Sequence, residues 1–80
     1  MLDNYEKQLR QTNLAENTIT SYRHSLKQYI EMYDGVFTKK NLLSFKGFLI
    51  EKYSPKTVNL RILAINKYLE FNKMEKLKLK

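Results

Sequence analysis

Eighty residues without a cysteine make one domain with a single modest core, supplemented by neither a disulfide nor a thiolate-bound metal. Two glycines and one proline leave too few turn signals for an all-β fold, and no apolar run approaches the roughly 20 residues that span a bilayer. The net charge of +7 is one-sided: residues 1–34 carry four basic and five acidic side chains, residues 35–80 eleven and three, a field that concentrates polyanions.

Four segments with helical periodicity follow one another. Leu2, Tyr5 and Leu9 recur at three- and four-residue steps and predict a short helix ending near Thr12-Asn13. From about Ala15 to Tyr33, the residues Ile19, Tyr22, Leu26, Tyr29, Ile30 and Tyr33 form one continuous stripe. Asn13 and Glu16 have the spacing of a capping pair at its start, and Asp34-Gly35 supplies the left-handed stop. Thr38 is placed to cap a third helix, with Leu42, Phe45, Leu49 and Tyr53 facing inward and Leu43 and Ile50 widening that stripe.

Ser54-Pro55 opens a fourth helix, because proline at the first helical position gives up only an N–H that lacks a partner there. Its main stripe is Val58, Ile62, Ile65 and Leu69. A second apolar line, Leu60, Ala64 and Phe71, predicts that this helix is central. In residues 74–80, Leu77 and Leu79 alternate with lysines, a pattern open to a strand or to a linker. Glu16-Asn17-Thr18-Ile19 and Pro55-Lys56-Thr57-Val58 each put a threonine and then a β-branched core residue in a first helical turn. The expected fold is all-α, a small four- to five-helix orthogonal bundle.

Catalytic chemistry is hard to find. His24 is the sole histidine, so a histidine metal site or a Ser-His-Asp arrangement is not expected. Gly35 and Gly47 stand alone, which leaves no glycine-rich phosphate loop, and neither metal nor cofactor is expected. The six tyrosines fall on or near apolar stripes and read as core. Asp3 and Glu6 stand where a secretory signal would be basic and then apolar, so a soluble cytoplasmic protein without a membrane anchor is expected.

Binding is what remains. Opposite the stripe of the second helix lie Thr20, Ser21, His24 and Gln28, flanked by Arg23 and Lys27. Short hydrogen-bonding groups bordered by cations suit base edges and phosphates in a DNA major groove, which admits one α-helix. The fourth helix adds Lys56, Thr57, Arg61 and Lys67, next to the positive end of its dipole.

Taken in order, Leu14-Ala15-Glu16-Asn17-Thr18-Ile19, Tyr22, Leu26, Tyr29, Thr38, Leu42, Leu49, Ser54-Pro55-Lys56-Thr57-Val58-Asn59, Ile62, Ala64-Ile65, Leu69 and Phe71 resemble the N-terminal SAM-like, core-binding domain of phage integrases and other tyrosine recombinases. The likeness runs from about Leu2 to Asn72. It implies one half of a C-shaped clamp on double-stranded DNA, with Thr18, Thr20, Ser21, His24, Lys27, Lys56, Thr57, Asn59 and Arg61 as contacts. Ala15, where the family commonly has a capping serine or threonine, and Leu60, where a polar group could face DNA, depart from the pattern.

The resemblance further implies a DNA-binding domain at 1–73 and a linker at 74–80, leading to a catalytic domain elsewhere in the same polypeptide. On that reading the domain is no enzyme by itself. It serves DNA integration and recombination for a bacterial or phage mobile element, and the full-length protein oligomerises on DNA. Two rival readings are a stand-alone helical DNA-binding regulator and a helical protein-interaction module.

Overall fold

In the computed structural model, which describes residues 2–79, four helices pack around one core, and no strand occurs among the described residues. Helix α1 spans Leu2–Gln11, α2 Glu16–Tyr33, α3 Lys39–Lys52 and α4 Pro55–Phe71, followed by a 3₁₀ turn at Glu75–Leu77. The all-α expectation is met, with one helix for each periodic segment. As its two apolar lines required, α4 packs against α1, α2, α3 and the 3₁₀ turn.

Each boundary has a local cause. Helix α1 stops because Asn13 takes the left-handed conformation (φ 62°), which asparagine tolerates better than most residues. Asn13 therefore ends one helix rather than capping the next. The residue at the α2 N-cap is Ala15, which has no side-chain acceptor, and Glu16 pairs instead with Arg10 of α1. At the far end of α2, Asp34 (φ 52°) and Gly35 (φ 71°) both turn left-handed, and the Gly35 N–H reaches the Ile30 carbonyl at 3.2 Å. The Thr38 hydroxyl accepts from the Asn41 N–H at 3.1 Å and starts α3. Ser54 precedes Pro55 as expected, but its hydroxyl donates to that of Thr57 at 3.3 Å and caps no backbone N–H.

The main stripes are inside: Ile19, Leu26 and Tyr29 on α2, Leu42, Phe45 and Leu49 on α3, and Val58, Ile62, Ile65 and Leu69 on α4. An aromatic chain links the elements. Tyr29 stacks on Phe37 (centroids 4.6 Å apart), Phe37 on Tyr68 (4.9 Å), and Tyr68 meets the edge of Tyr5 (5.6 Å). The Tyr5 hydroxyl donates to the Ala64 carbonyl at 2.6 Å, tying α1 to the middle of α4, and that of Tyr29 donates to the Val36 carbonyl at 2.7 Å.

One expectation is corrected. Leu43 and Ile50 do not widen the α3 core stripe; they are more than half exposed, and Ile50 lies on the rim of a groove between α3 and α4. Of the two readings left open for the tail, the strand does not form: the described residues include no sheet edge to receive one. It folds back on α4, where Asn66 brackets Leu79: the side-chain amide donates to the Leu79 carbonyl at 2.7 Å and accepts from its N–H at 2.8 Å. Lys78 donates to Glu70 at 2.7 Å, a bond that holds the Glu70 carboxyl below the usual range. The core thus runs past residue 73 to Leu79, whose side chain is buried.

Removing a working cap costs about 1 kcal/mol, or roughly 4–8 °C of melting temperature at this size. Thr38→Ala is expected to lower the midpoint by about that much, and Ser54→Ala by less than half of it. Paired thermal melts check the difference.

Burial, reinforced by the neighbouring Tyr33, pushes the Tyr29 phenol up to about 12 from 10.0, and burial also raises Tyr5 and Tyr68. Above pH 10 an unfolded chain ionises these phenols while the folded chain holds their protons. Their stabilisation is therefore complete below pH 10 and is expected to be lost as pH rises towards 12, with tyrosinate absorbance appearing together with unfolding.

Candidate nucleic-acid interface

Helices α2 and α4 pack together. Ser25 is buried, and its hydroxyl is satisfied by the Ser21 carbonyl at 2.9 Å. Between the two helices lies a groove of about 230 Å³, lined by Thr20, Ser21, His24, Ser25, Leu60 and Arg61. Four of the residues singled out from the sequence, three on α2 and one on α4, therefore share one surface: Thr20, Ser21, His24 and Arg61.

Arg61 forms one wall, and it is held in place. Its Nη1 donates to the Gln28 side-chain oxygen at 2.8 Å, the Gln28 amide donates to the Tyr53 hydroxyl at 3.1 Å, and the guanidinium lies 4.7 Å from the Tyr53 ring centroid. Its Nε is buried without an acceptor. A planar cation held in the groove wall by a ring contact and one hydrogen bond is preorganised for an anionic oxygen. The sequence places Gln28 on the polar face of α2 without a role in holding Arg61, and Tyr53 does not stand among the candidate site residues. The signal for Gln28 was its place on the polar face of α2, one turn beyond His24; Tyr53 carried only a core signal.

The other candidates surround the groove or fall outside it. Lys27 is exposed one turn beyond His24. Lys56 is exposed and Lys67 half-buried; they sit about three turns apart on the side of α4 that carries Leu60. Thr18 and Thr57 are both half-buried at the third position of their helices, which gives the sequence echo a common structural role, and the Thr57 hydroxyl is engaged by Ser54. Arg23 turns the other way, towards α1, where it pairs with Glu6 at 3.4 Å. Asn59 lines a separate groove between α3 and α4. Leu60, the apolar departure noted in the sequence, forms part of the groove wall and is 38% exposed.

No group of acids and histidine able to hold a metal ion occurs among the described residues, and no helix among them is long and apolar enough to cross a membrane.

The chain is similar to the TnP I resolvase of Bacillus thuringiensis, with 28% identity in an alignment that covers 84% of this chain and 27% of that protein. The chain thus spans about a quarter of the length of that relative. No family model matches, and no solved structure matches. The resemblance to phage integrases and other tyrosine recombinases is corrected accordingly: the similarity found is to a protein named as a resolvase, and no integrase family model supports the narrower class. Its source is physical, since a capped helix with an apolar stripe recurs in many helical domains, and four in a row specify a fold more than a chemistry. The likeness to a recombinase points to DNA recombination in general.

Replacing Arg61 by Lys keeps the charge but loses the planar stacking on Tyr53 and the fixed donor to Gln28. Arg61→Lys is expected to lower stability by about 1 kcal/mol and to be non-additive with Tyr53→Leu, as read by a double-mutant cycle in denaturant.

Proposed function

We propose that this chain binds duplex DNA across its α2–α4 face, as the DNA-holding part of a longer site-specific recombinase. The observation that carries the reading is the α2–α4 groove itself. It brings the short polar groups Thr20, Ser21 and His24 beside a preorganised Arg61. Lys27, Lys56 and Lys67 stand around it. On this reading α2 presents its polar face to the major groove, Thr20, Ser21 and His24 reach base edges, and the cations hold phosphates on either side. The similarity to a resolvase supports recombination as the setting, in the cytoplasm of a bacterium or for a mobile element.

Strand cleavage and exchange belong, in this proposal, to another part of a longer polypeptide, with which copies assemble on DNA. The chain by itself has no catalytic task. It supplies affinity and register, because phosphate contacts position a protein and base contacts specify the sequence.

Salt dependence and substitutions test the reading together. If Lys27, Lys56, Arg61 and Lys67 each neutralise one phosphate, the log–log slope of affinity against salt is expected to be about −3.5. Lys56→Ala should weaken binding to every sequence alike and make the slope shallower by about one. Ser21→Ala or His24→Ala should instead change the preference among sequences, by about 1–3 kcal/mol where a base contact is lost. Arg23→Ala and Lys7→Ala, on the α1 side, should leave both unchanged. Fluorescence anisotropy with labelled duplexes measures all of these. Equal losses from Lys7→Ala and Lys56→Ala would show that the face is wrongly assigned.

A further inference from the structure

Three helices meet at the guanidinium of Arg61. The cation comes from α4, its hydrogen-bond acceptor Gln28 from α2, and the ring against it from Tyr53, the residue that ends α3.

The chemistry of these groups allows one arrangement. A guanidinium has donors only, so the Gln28 carboxamide must turn its oxygen towards Arg61. Its nitrogen then faces the Tyr53 hydroxyl, which accepts from it at 3.1 Å and so fixes which end of the amide Arg61 meets. The tyrosine thus acts on the arginine twice, through its ring at 4.7 Å and through the amide. Its own place is set by its backbone N–H, which donates to the Leu49 carbonyl at 2.9 Å.

The groups that hold Arg61 are also uncharged. The chain has two other arginines. Arg10 pairs with Glu6 and Glu16, and Arg23 with Glu6, so carboxylates offset the charge of both. Arg61 is in no ion pair among the described residues, and no acid lines the groove that it walls. A carboxylate at position 28 would grip the guanidinium harder, because a charge-assisted hydrogen bond is about twice as strong as a neutral one. It would also cancel the charge that a phosphate meets.

We infer that Gln28 and Tyr53 are positioning residues for DNA: they aim Arg61 at the α2–α4 groove and, being uncharged, leave its charge whole for a phosphate. The inference rests on the DNA reading of that face. Gln28 acts through Arg61 rather than on a base, since both ends of its amide are engaged within the fold. Tyr53, which lines the groove on the other side of α4, governs DNA affinity without touching DNA.

Two substitutions at position 28 take aim and charge apart. Gln28→Met keeps the bulk and removes the acceptor, so Arg61 stays charged but loses its aim. Affinity should fall about three- to tenfold, the cost of ordering one long side chain on binding, alike for all duplexes and with an unchanged salt slope. Gln28→Glu keeps the aim and cancels the charge, so the slope should become shallower by about one. Tyr53→Phe retains the ring and should weaken binding in the manner of Gln28→Met but less, which keeps the test open should Gln28→Met fail to fold in thermal melts. The buried Nε–H of Arg61 reports the aim itself. Its NMR signal should be sharp in the wild type and in Gln28→Glu, and broadened by solvent exchange in Gln28→Met.

Arg61→Met supplies the comparison that separates positioning from contact. In that background Gln28→Met should cause no further loss of affinity, because nothing is left to position. A further loss, or a changed preference among sequences, would show Gln28 touching DNA itself and overturns the inference. Unchanged affinity in Gln28→Met, where Arg61→Met alone weakens binding, overturns it as well. If Arg61→Met has no effect while Lys56→Ala weakens binding, the inference fails and the DNA face stands. If neither has an effect, the face itself is wrong. Fluorescence anisotropy with labelled duplexes reads every arm.

Discussion

The structure depends on α4 having almost no free side. A domain of 80 residues has little apolar surface to bury, and this one concentrates its burial on a single helix that every other element covers. The bond from the Tyr5 hydroxyl to the Ala64 carbonyl spans 59 residues of sequence and fixes α1 against the centre of α4. Ser25, buried on the α2 side, lies at the floor of the polar groove between α2 and α4. The candidate site is therefore built directly on the core, and the bulk of a leucine at Ser25 would alter both at once.

From this arrangement α4 divides the exterior. Towards α2 the surface is polar and cationic, with Arg61 clamped between Gln28 and Tyr53. Towards α3 it is apolar, with Ile50 and Leu63 exposed above Val58 and Ile62. On the proposed reading, phosphate and base edges meet the first surface and gain nothing from the second. Tyr53 belongs to both: it lines the α3–α4 groove and supplies the ring on which Arg61 rests. Arg61 also accounts for part of the half-chain charge asymmetry, since one of the eleven cations after residue 34 is spent inside the fold as much as on its surface.

The helices were legible because their signals are local. Stripes at 3.6-residue spacing, Thr38 before α3, Asp34-Gly35 after α2 and Pro55 at the head of α4 each act within one or two turns. What was not legible depends on partners distant in sequence. Nothing near Phe37 announces that it stacks between Tyr29 and Tyr68, and nothing near Asn66 that it brackets Leu79. Asn13 has the composition of a cap, but the turn between α1 and α2 uses its tolerance of positive φ instead. Leu43 and Ile50 look like core because hydropathy cannot tell a buried flank from an uncovered one. At the site, the polar face of α2 was readable as a face, whereas the diversion of Arg23 to Glu6 and the anchoring of Arg61 required the positions of α1 and Tyr53.

On the proposed reading, DNA lies across α2 and α4. Chemical-shift mapping of the isotope-labelled domain titrated with a short duplex at low salt tests it most directly, because it needs no substitution and reports every face at once. The claim predicts that the largest changes fall on Thr20, Ser21, His24, Lys27, Lys56, Leu60 and Arg61, with Gln28 and Tyr53 following as Arg61 is drawn to a phosphate. Changes centred instead on α1 and the tail, around Lys7, Gln8 and Lys76, with the α2–α4 groove silent, would contradict it.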